Sequence, residues 1–370
     1  MKEQQMTTSM AAFRTSLYRL PLAGVVLILA YCLLLMGIFH ETLKVMTGWW
    51  NSDDYTHCYF IPIIIAYVIF KKKDTLATIS ITRQWLGIIP FAFGLFLYCL
   101  GELGGEFYTL FLSLLFMIVG VCMLHIGLKR TRSLVFIFIL MIAMFPFPNF
   151  IYTKLSVNLQ LISSRLGTAI LQVVGLPAYR EGNIIDLGFR KLQVVEACNG
   201  IRYLLPLVVL GLIIAYFVKG SLWKKIFLVF STIPLAILMN GTRIALAGIS
   251  ATYLGPEISD GILHDFTGFV FFMASFGLLV GEVVVLGKLG KVFAKGADHS
   301  QLNNPRGIEV RHDEVEATPH PGTIAKRTDF PWQPQSALVL CLLIATFILG
   351  YGVSFRETVP IKTPFAQFPL

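Results

Sequence analysis

FYTLFLSLLFMIVGVCMLHIGLKRTR, residues 107 to 132, decides the fold. Residues 107 to 126 carry no charge and are as long as the roughly 20 residues a helix needs to cross a bilayer. Lys129, Arg130 and Arg132 follow at once, so an apolar span ends in a basic loop. The same pattern extends in both directions, with apolar runs near residues 18 to 39, 57 to 70, 85 to 101, 133 to 151, 200 to 218, 223 to 254, 264 to 287 and 337 to 354. Several reach crossing length; 57 to 70 does so only with its semi-polar flank at 52 to 56. Apolar residues make up 56% of the 370-residue chain, charged residues only 14%, and the mean hydropathy is +0.73, far from the balance of a soluble domain. The expected fold is all-α, a polytopic transmembrane helical bundle. It has eight spans in a core at 1 to 290, a polar cytoplasmic linker at 291 to 336, and a ninth span with a short outward tail at 337 to 370.

Charge orients the bundle. Lys71, Lys72, Lys73 and Arg83 follow the second span, Lys219, Lys224 and Lys225 the sixth, and Lys288, Lys291 and Lys295 the eighth. The alternate loops hold Glu41, Asp53, Asp54, Glu102, Glu106, Glu257, Asp260 and Asp265, with Lys44 as their basic residue. This asymmetry puts the N-terminus and basic loops in the cytoplasm and the other loops outside. The net charge of +9 therefore reads as topology rather than as a nucleic-acid surface. The first run follows Arg14 and Arg19, is longer than a usual signal h-region and lacks a small-x-small cleavage site, so it reads as a retained signal-anchor helix. The stretch 223 to 254 is long enough for one kinked span or a span plus a re-entrant piece, with Pro234 and Asn240-Gly241 as expected breaks. One crossing keeps the following basic loop on the cytoplasmic side.

The segment 146 to 199 is expected outside. Leu155, Leu159, Ile162, Leu166 and Ile170 recur every three or four residues, with Lys154, Asn158 and Arg165 off the stripe, which predicts an amphipathic helix on the outer surface. NIIDL and LQVV flank Gly188 and predict a small hairpin leading to Cys198. The pair reads either as a packed cap or as a wall of a peptide-binding cleft.

Three reactive residue types sit at span ends assigned to the same outward face: Cys198 in VEACNGIR, Arg243 in MNGTR and His264 in LHDFTG. The six cysteines have neither metal-like nor disulfide spacing. Cys32, Cys99, Cys122 and Cys341 read as small buried hydrophobes, and Cys58 lies near the outer boundary. Cys198 is set apart by Glu196, Asn199 and Arg202 around it and by Gly200 just before a span. A thiol needs a cationic neighbour or a helix N-terminus to ionise usefully near neutral pH. His264 with Asp265 reads as a cap residue or as the partner of that thiol. Arg243 reads as a snorkelling anchor or as a donor to a developing oxyanion; an outward arginine runs against the basic bias. Asn240 stands three residues before it. His57, behind Trp49, Trp50 and Tyr55, reads equally as part of an interfacial aromatic belt or as a substrate-positioning group. No P-loop, dinucleotide glycine pattern or HExxH occurs, so no cofactor or metal is expected.

In these residues the chain resembles the exosortase family of membrane-embedded cysteine transpeptidases. The resemblance rests on WWNSDDYTHCYFIP at 49 to 62, FPFPNFIYTKLS at 145 to 156, VVEACNGIRYL at 194 to 204, PLAILMNGTRIA at 234 to 245 and HDFTGFVFF at 264 to 272. It implies Cys198 as nucleophile with Arg243 and His264 as its partners; Asn199 stands where many members have serine. It also implies location in a bacterial inner membrane with a periplasmic active site. The implied partners are membrane-anchored proteins bearing a C-terminal sorting motif, best known as Pro-Glu-Pro, then a transmembrane helix and a basic tail. Some members carry an exopolysaccharide-associated domain at the C-terminus, of which the ninth span and tail resemble a beginning. The competing class is a transporter or exopolysaccharide export component without peptidase activity, which needs coupling residues near the midplane.

Overall fold

The computed structural model describes residues 22–79, 85–194, 200–218, 220–253, 262–301 and 334–354, with side chains undescribed at 22–24, 262–267, 289–301, 349 and 352–354. The helices are α1 (Leu22–Ile38), α2 (His40–Trp50), α3 (Ile61–Thr78), α4 (Ile88–Gly104), α5 (Phe107–Ser133), α6 (Val135–Ala143), α7 (Asn149–Val173), α8 (Ile201–Phe217), α9 (Leu222–Tyr253), α10 (Ile262–Gln301) and α11 (Pro334–Ser354). Three short strands, β1 (Tyr179–Glu181), β2 (Ile184–Asp186) and β3 (Lys191–Gln193), form an antiparallel sheet in the order β1-β2-β3. The protein is thus mostly helical and polytopic. Among the described residues, four helical stretches, Trp85–Gly104, Phe107–Ser133, Leu222–Tyr253 and Gly268–Lys288, are each long and apolar enough to cross a membrane; Val25–Ile38 and His40–Trp50, bent by 76°, pass that test only together, as one broken span or a re-entrant loop.

Two expected elements change in detail. The run 133 to 151 is not one helix: α6 stops at Ala143, and α7 begins only after Phe145-Pro146-Phe147-Pro148. Prolines cannot donate to the helix ladder and push the preceding residue out of the α region. The second change is at Pro234 and Asn240-Gly241, which do not break the helix; α9 runs uninterrupted for 32 residues. Asn240 does not compete for the backbone, because its side-chain amide donates to Ser163 Oγ at 3.0 Å. Gly241 stays because a Cβ there would stand 2.5 Å from Leu166 Cδ2. At the other end, α10 continues to Gln301, into the segment whose composition reads as linker; residues 302–333 lie outside the described residues.

The chain divides into two compact units. The first draws on 1–46, 71–138 and 316–370. There α4 packs along α5 and α11 along α1 and α5, burying Phe39, Phe91, Met117, Leu124, Val339 and Leu343. Close approach depends on glycine. A Cβ on Gly94 would lie 2.9 Å from the Met117 backbone nitrogen, and one on Gly120 would lie 2.6 Å from Phe91 Cβ. His125, isolated in sequence, is a hydrogen-bonded residue of this unit, 3.1 Å from Tyr31 Oη and 3.3 Å from Ser336 Oγ.

The second unit draws on 47–70 and 139–315. Its axis is α9, which packs against α7, α8 and α10. The expected helix after residue 146 is present as α7, and four residues of the predicted stripe, Leu155, Leu159, Leu166 and Ile170, turn inward while Lys154, Asn158 and Arg165 are exposed. Leu159 is buried, whereas Ile162 is 47% exposed, and the buried face also holds Ser156, Gln160, Ser163, Ser164, Gly167 and Thr168. Small residues share that face and let α7 approach α9: a Cβ on Gly167 would stand 2.8 Å from Ile244 Cγ2. The expected hairpin is β2–β3, and β1 extends it by one polar strand that alternation did not reveal. Ile185, Leu187 and Val194 bury this sheet against Leu171, Ile244 and Ala245 of α7 and α9.

Candidate active site

The site is built from the first turn of α8. Gly200 starts that turn: its carbonyl accepts from Tyr203 N at 3.1 Å and Leu204 N at 2.9 Å. Its φ of +88° belongs to the left-handed region, and a Cβ on it would also stand 2.9 Å from Asn240 Nδ2. Gly200 therefore comes down onto α9 at the asparagine of MNGTR. Asn240 is 2% exposed, and its bond to Ser163 ties α7 into the same point.

One turn further along α9, Arg243 is only 4% exposed, with its guanidinium carbon 5.3 Å from the ring centroid of Tyr203. A buried arginine is costly unless its charge meets partners, and the π face of Tyr203 supplies one. Tyr203 also reaches α10: a Cβ on Gly268 would lie 2.3 Å from the Tyr203 hydroxyl, so glycine is required for the approach. Through Gly200 on Asn240, Tyr203 on Gly268 and Arg243 over Tyr203, the described parts of three sequence pieces, GIRY, NGTR and TGF, are brought into contact.

A cavity of about 670 Å³ opens beside this junction. Asp53, His57, Arg202 and Tyr203 supply its polar lining, and Phe60, Phe269 and Phe272 much of its apolar wall. Arg202 pairs with Asp53 at 3.4 Å. His57 stands on the 3₁₀ turn Thr56–Phe60 that precedes α3, outside that apolar helix. Burial pushes its imidazole down to about 4, against a smaller opposite effect of the Asp54 backbone, so the ring is neutral at pH 7. Next to it, burial pushes the Cys58 thiol up to about 12. Cys58 is fully buried, its sulfur 3.8 Å from His57 Nε2, and it remains a protonated packing residue at neutral pH.

The residues just before the turn are held by hydrogen bonds to Met144 and the FPFPNFIY segment that follows it. Trp50 Nε1 donates to the Met144 carbonyl at 3.0 Å, Phe147 N to Tyr55 Oη at 3.1 Å, and Tyr152 Oη to Asp54 Oδ2. The residues flanking His57 thus belong to a hydrogen-bonded frame as well as to an aromatic belt.

Of the site residues named from sequence, Arg243 and Asn240 meet at the junction, and His57 and Arg202 line the cavity. Cys198, Glu196 and Asn199 lie outside the described residues. The backbone of His264 and Asp265 lies in the first turn of α10, with His264 one helical turn before Gly268; their side chains are outside the described set. Sequence reasoning missed Tyr203, which touches both Arg243 and Gly268, and Ser163, the partner of Asn240. It read Asp53 only as a topological charge. Among the described residues, no three His, Cys, Asp or Glu side chains are grouped to hold a metal ion.

Neither the curated proteins nor the solved structures contain a match to the chain. A family model described as Transmembrane exosortase (Exosortase_EpsH) matches residues 49–281, well over half of the chain, and the protein accordingly belongs to the transmembrane exosortase family and its general membrane-processing role.

Proposed function

We propose that this polytopic protein is a cysteine-dependent processing enzyme of the bacterial inner membrane, cleaving C-terminal sorting signals of membrane-anchored proteins on the periplasmic side. The observation that carries this reading is the junction itself. Gly200, Tyr203, Asn240, Arg243 and Gly268 make close contacts, and Cys198 and His264 lie within four residues of two of them in the chain. In the proposed reaction the Cys198 thiolate, favoured by the N-terminus of α8, adds to the scissile carbonyl. The carbon–sulfur bond forms as the carbonyl electrons move to oxygen, where Arg243 donates to the oxyanion. Collapse breaks the carbon–nitrogen bond, the protonated His264 imidazole gives its proton to the leaving amine, and a thioester remains. An acceptor amine or water then attacks that thioester, and the thiol is restored. No cofactor enters any step.

The test is cleavage of a co-expressed substrate with a sorting motif, transmembrane helix and basic tail, at matched enzyme abundance, with mass spectrometry for the acyl-enzyme. Cys198→Ala is expected to abolish cleavage while the protein stays folded. Normal cleavage by that variant rejects the cysteine-dependent reading, and no cleavage by the unaltered chain returns the membrane-transport alternative.

A further inference from the structure

A second polar cavity, of about 330 Å³, lies within the first unit, at the bend between α1 and α2 and beside the last turns of α4 and α11. That volume falls at the lower end of small-ligand sites, which run from about 300 to 1,000 Å³. Its lining carries Glu41 and Glu102 and no Lys or Arg. Glu41 is met by His40 at 3.0 Å and Lys44 at 3.8 Å, all three exposed, and such pairs contribute little. Glu102 pairs with no Lys, Arg or His among the described residues. The last carbonyls of α4, which ends at Gly104, and of α11, which ends at Ser354, add the negative ends of two helix dipoles. A cation is favoured here on each of these counts.

The other side chains say which kind of cation. Tyr98, Phe347 and Tyr351 line the cavity, and aromatic rings attract a cation while also packing against carbon. Thr42 points the same way independently. It is only 2% exposed, it lines the cavity, and its hydroxyl makes no hydrogen bond among the described residues, so it stands ready to accept from an N–H inside. A metal ion is a poor fit, because among the described residues no three His, Cys, Asp or Glu side chains are grouped to hold one. An organic ammonium meets every group, with N–H donors for Glu102 and Thr42 and a carbon body for the rings.

We propose that the first unit binds a primary alkylammonium in this cavity, with Glu102 as its counter-ion, the Thr42 hydroxyl as a second acceptor, and Tyr98, Phe347 and Tyr351 around its carbon body. The site does not depend on the processing reaction, since all of its residues belong to the first unit. The crossing stretch Trp85–Gly104 ends beside it, which puts the cavity at the headgroup level of a bilayer. The ammonium there belongs either to a free amine or to the ethanolamine headgroup of a lipid.

Binding is measured by equilibrium dialysis of radiolabelled 2-phenylethylamine against the full chain in maltoside micelles at pH 7, with empty micelles as the blank. Saturable binding above the blank is expected. The neutral isostere 2-phenylethanol should displace the probe only at about tenfold or higher concentration than unlabelled 2-phenylethylamine, because it lacks the charge-assisted bond. Glu102→Gln should weaken binding about tenfold, and Thr42→Val, which keeps the shape and removes the hydroxyl, should weaken it several-fold. No saturable binding, equal displacement by the alcohol, or unchanged binding by Glu102→Gln overturns the proposal. Should Glu102→Gln fail to fold, the alcohol and Thr42→Val still decide it. The source of the ammonium is read in lipid nanodiscs, where saturable binding in phosphatidylcholine alone is required. Loss of the probe on adding phosphatidylethanolamine upholds the site as one for a lipid headgroup, and undiminished binding upholds it as one for a free amine.

Discussion

The two units contain the same packing device. In the second, the Tyr203 hydroxyl lies 2.3 Å from where a Gly268 Cβ would be; in the first, the Tyr98 hydroxyl lies 2.3 Å from where a Gly350 Cβ would be. Each tyrosine thus seats a glycine of another helix. What differs is the polar company. Beside Gly350 a cavity of about 330 Å³ has His40 and Glu41 in its lining, 3.0 Å from each other, and Lys44 also approaches Glu41 at 3.8 Å. Beside Gly268, Tyr203 carries the Arg243 guanidinium on its ring, and the adjoining Arg202 pairs with Asp53 at 3.4 Å. Close helix approach is therefore a general means of assembling this bundle. Catalytic function is to be sought where the approach gathers arginines against an aromatic ring and an apolar cavity.

The largest expected effects fall on the second unit alone. Cys198→Ala should reduce processing by about 10⁴-fold or more, as removal of a nucleophile does, with protein abundance unchanged. Arg243→Ala should cost about a hundredfold in cleavage rate, close to 3 kcal/mol of oxyanion stabilisation. Arg243→Lys should recover little of it, since an ammonium lacks the planar fork that stacks on Tyr203. The measurement is initial cleavage rate at matched abundance, and full rescue by lysine would reduce the role of Arg243 to charge.

Intermediate effects test the shared device directly. Gly268→Ala and Gly350→Ala should each cost about 1–3 kcal/mol by overpacking. In either case Tyr→Phe at the partner should restore most of the loss, because the ring carbon that remains is 3.4 Å from the new Cβ, an ordinary contact. Thermal unfolding of the four single and two double variants in detergent measures this. Processing separates the units: Gly268→Ala should lower it beyond the loss of folded protein, and Gly350→Ala only in proportion. Proportional loss in both would mean that the Tyr203 contact is packing alone.

Much of this arrangement was legible in the sequence, and what was not has physical causes. Apolar runs and basic loops announced the bundle, since bilayer thickness and charge translocation act on sequence directly. The hairpin β2–β3 followed from its β-favouring runs around Gly188. The stripe of α7 was legible except at Ile162, which is exposed, whereas the small residues beside it were not, because periodicity does not show that Ser163 and Gly167 face α9. The helix break at Asn240-Gly241 was misread because a local rule cannot see Ser163, 77 residues away, satisfying the amide. Arg243 and Asn240 were legible as expensive polar groups in an apolar run. Tyr203 was not, since an aromatic at a span mouth is ordinary until its two contacts are known.

The smallest expected effect is on stability against pH, and it arises from the buried edge of the second unit's cavity. Burial holds His57 at about 4, below the roughly 6.5 of an unfolded chain. Between those values the unfolded state binds a proton that the folded state does not, so the stabilising contribution is complete above about 6.5 and is lost as pH falls toward 4. Replacing the imidazole with a side chain that does not titrate removes that dependence without adding charge. His57→Gln should therefore flatten the decline of melting temperature between about pH 7 and pH 4.5 while changing cleavage at pH 7 only a few-fold, since the ring it replaces is already neutral there. Parallel melting curves for the two proteins across that window would mean that the imidazole is solvated in the folded state, and that the cavity wall at His57 is open to water.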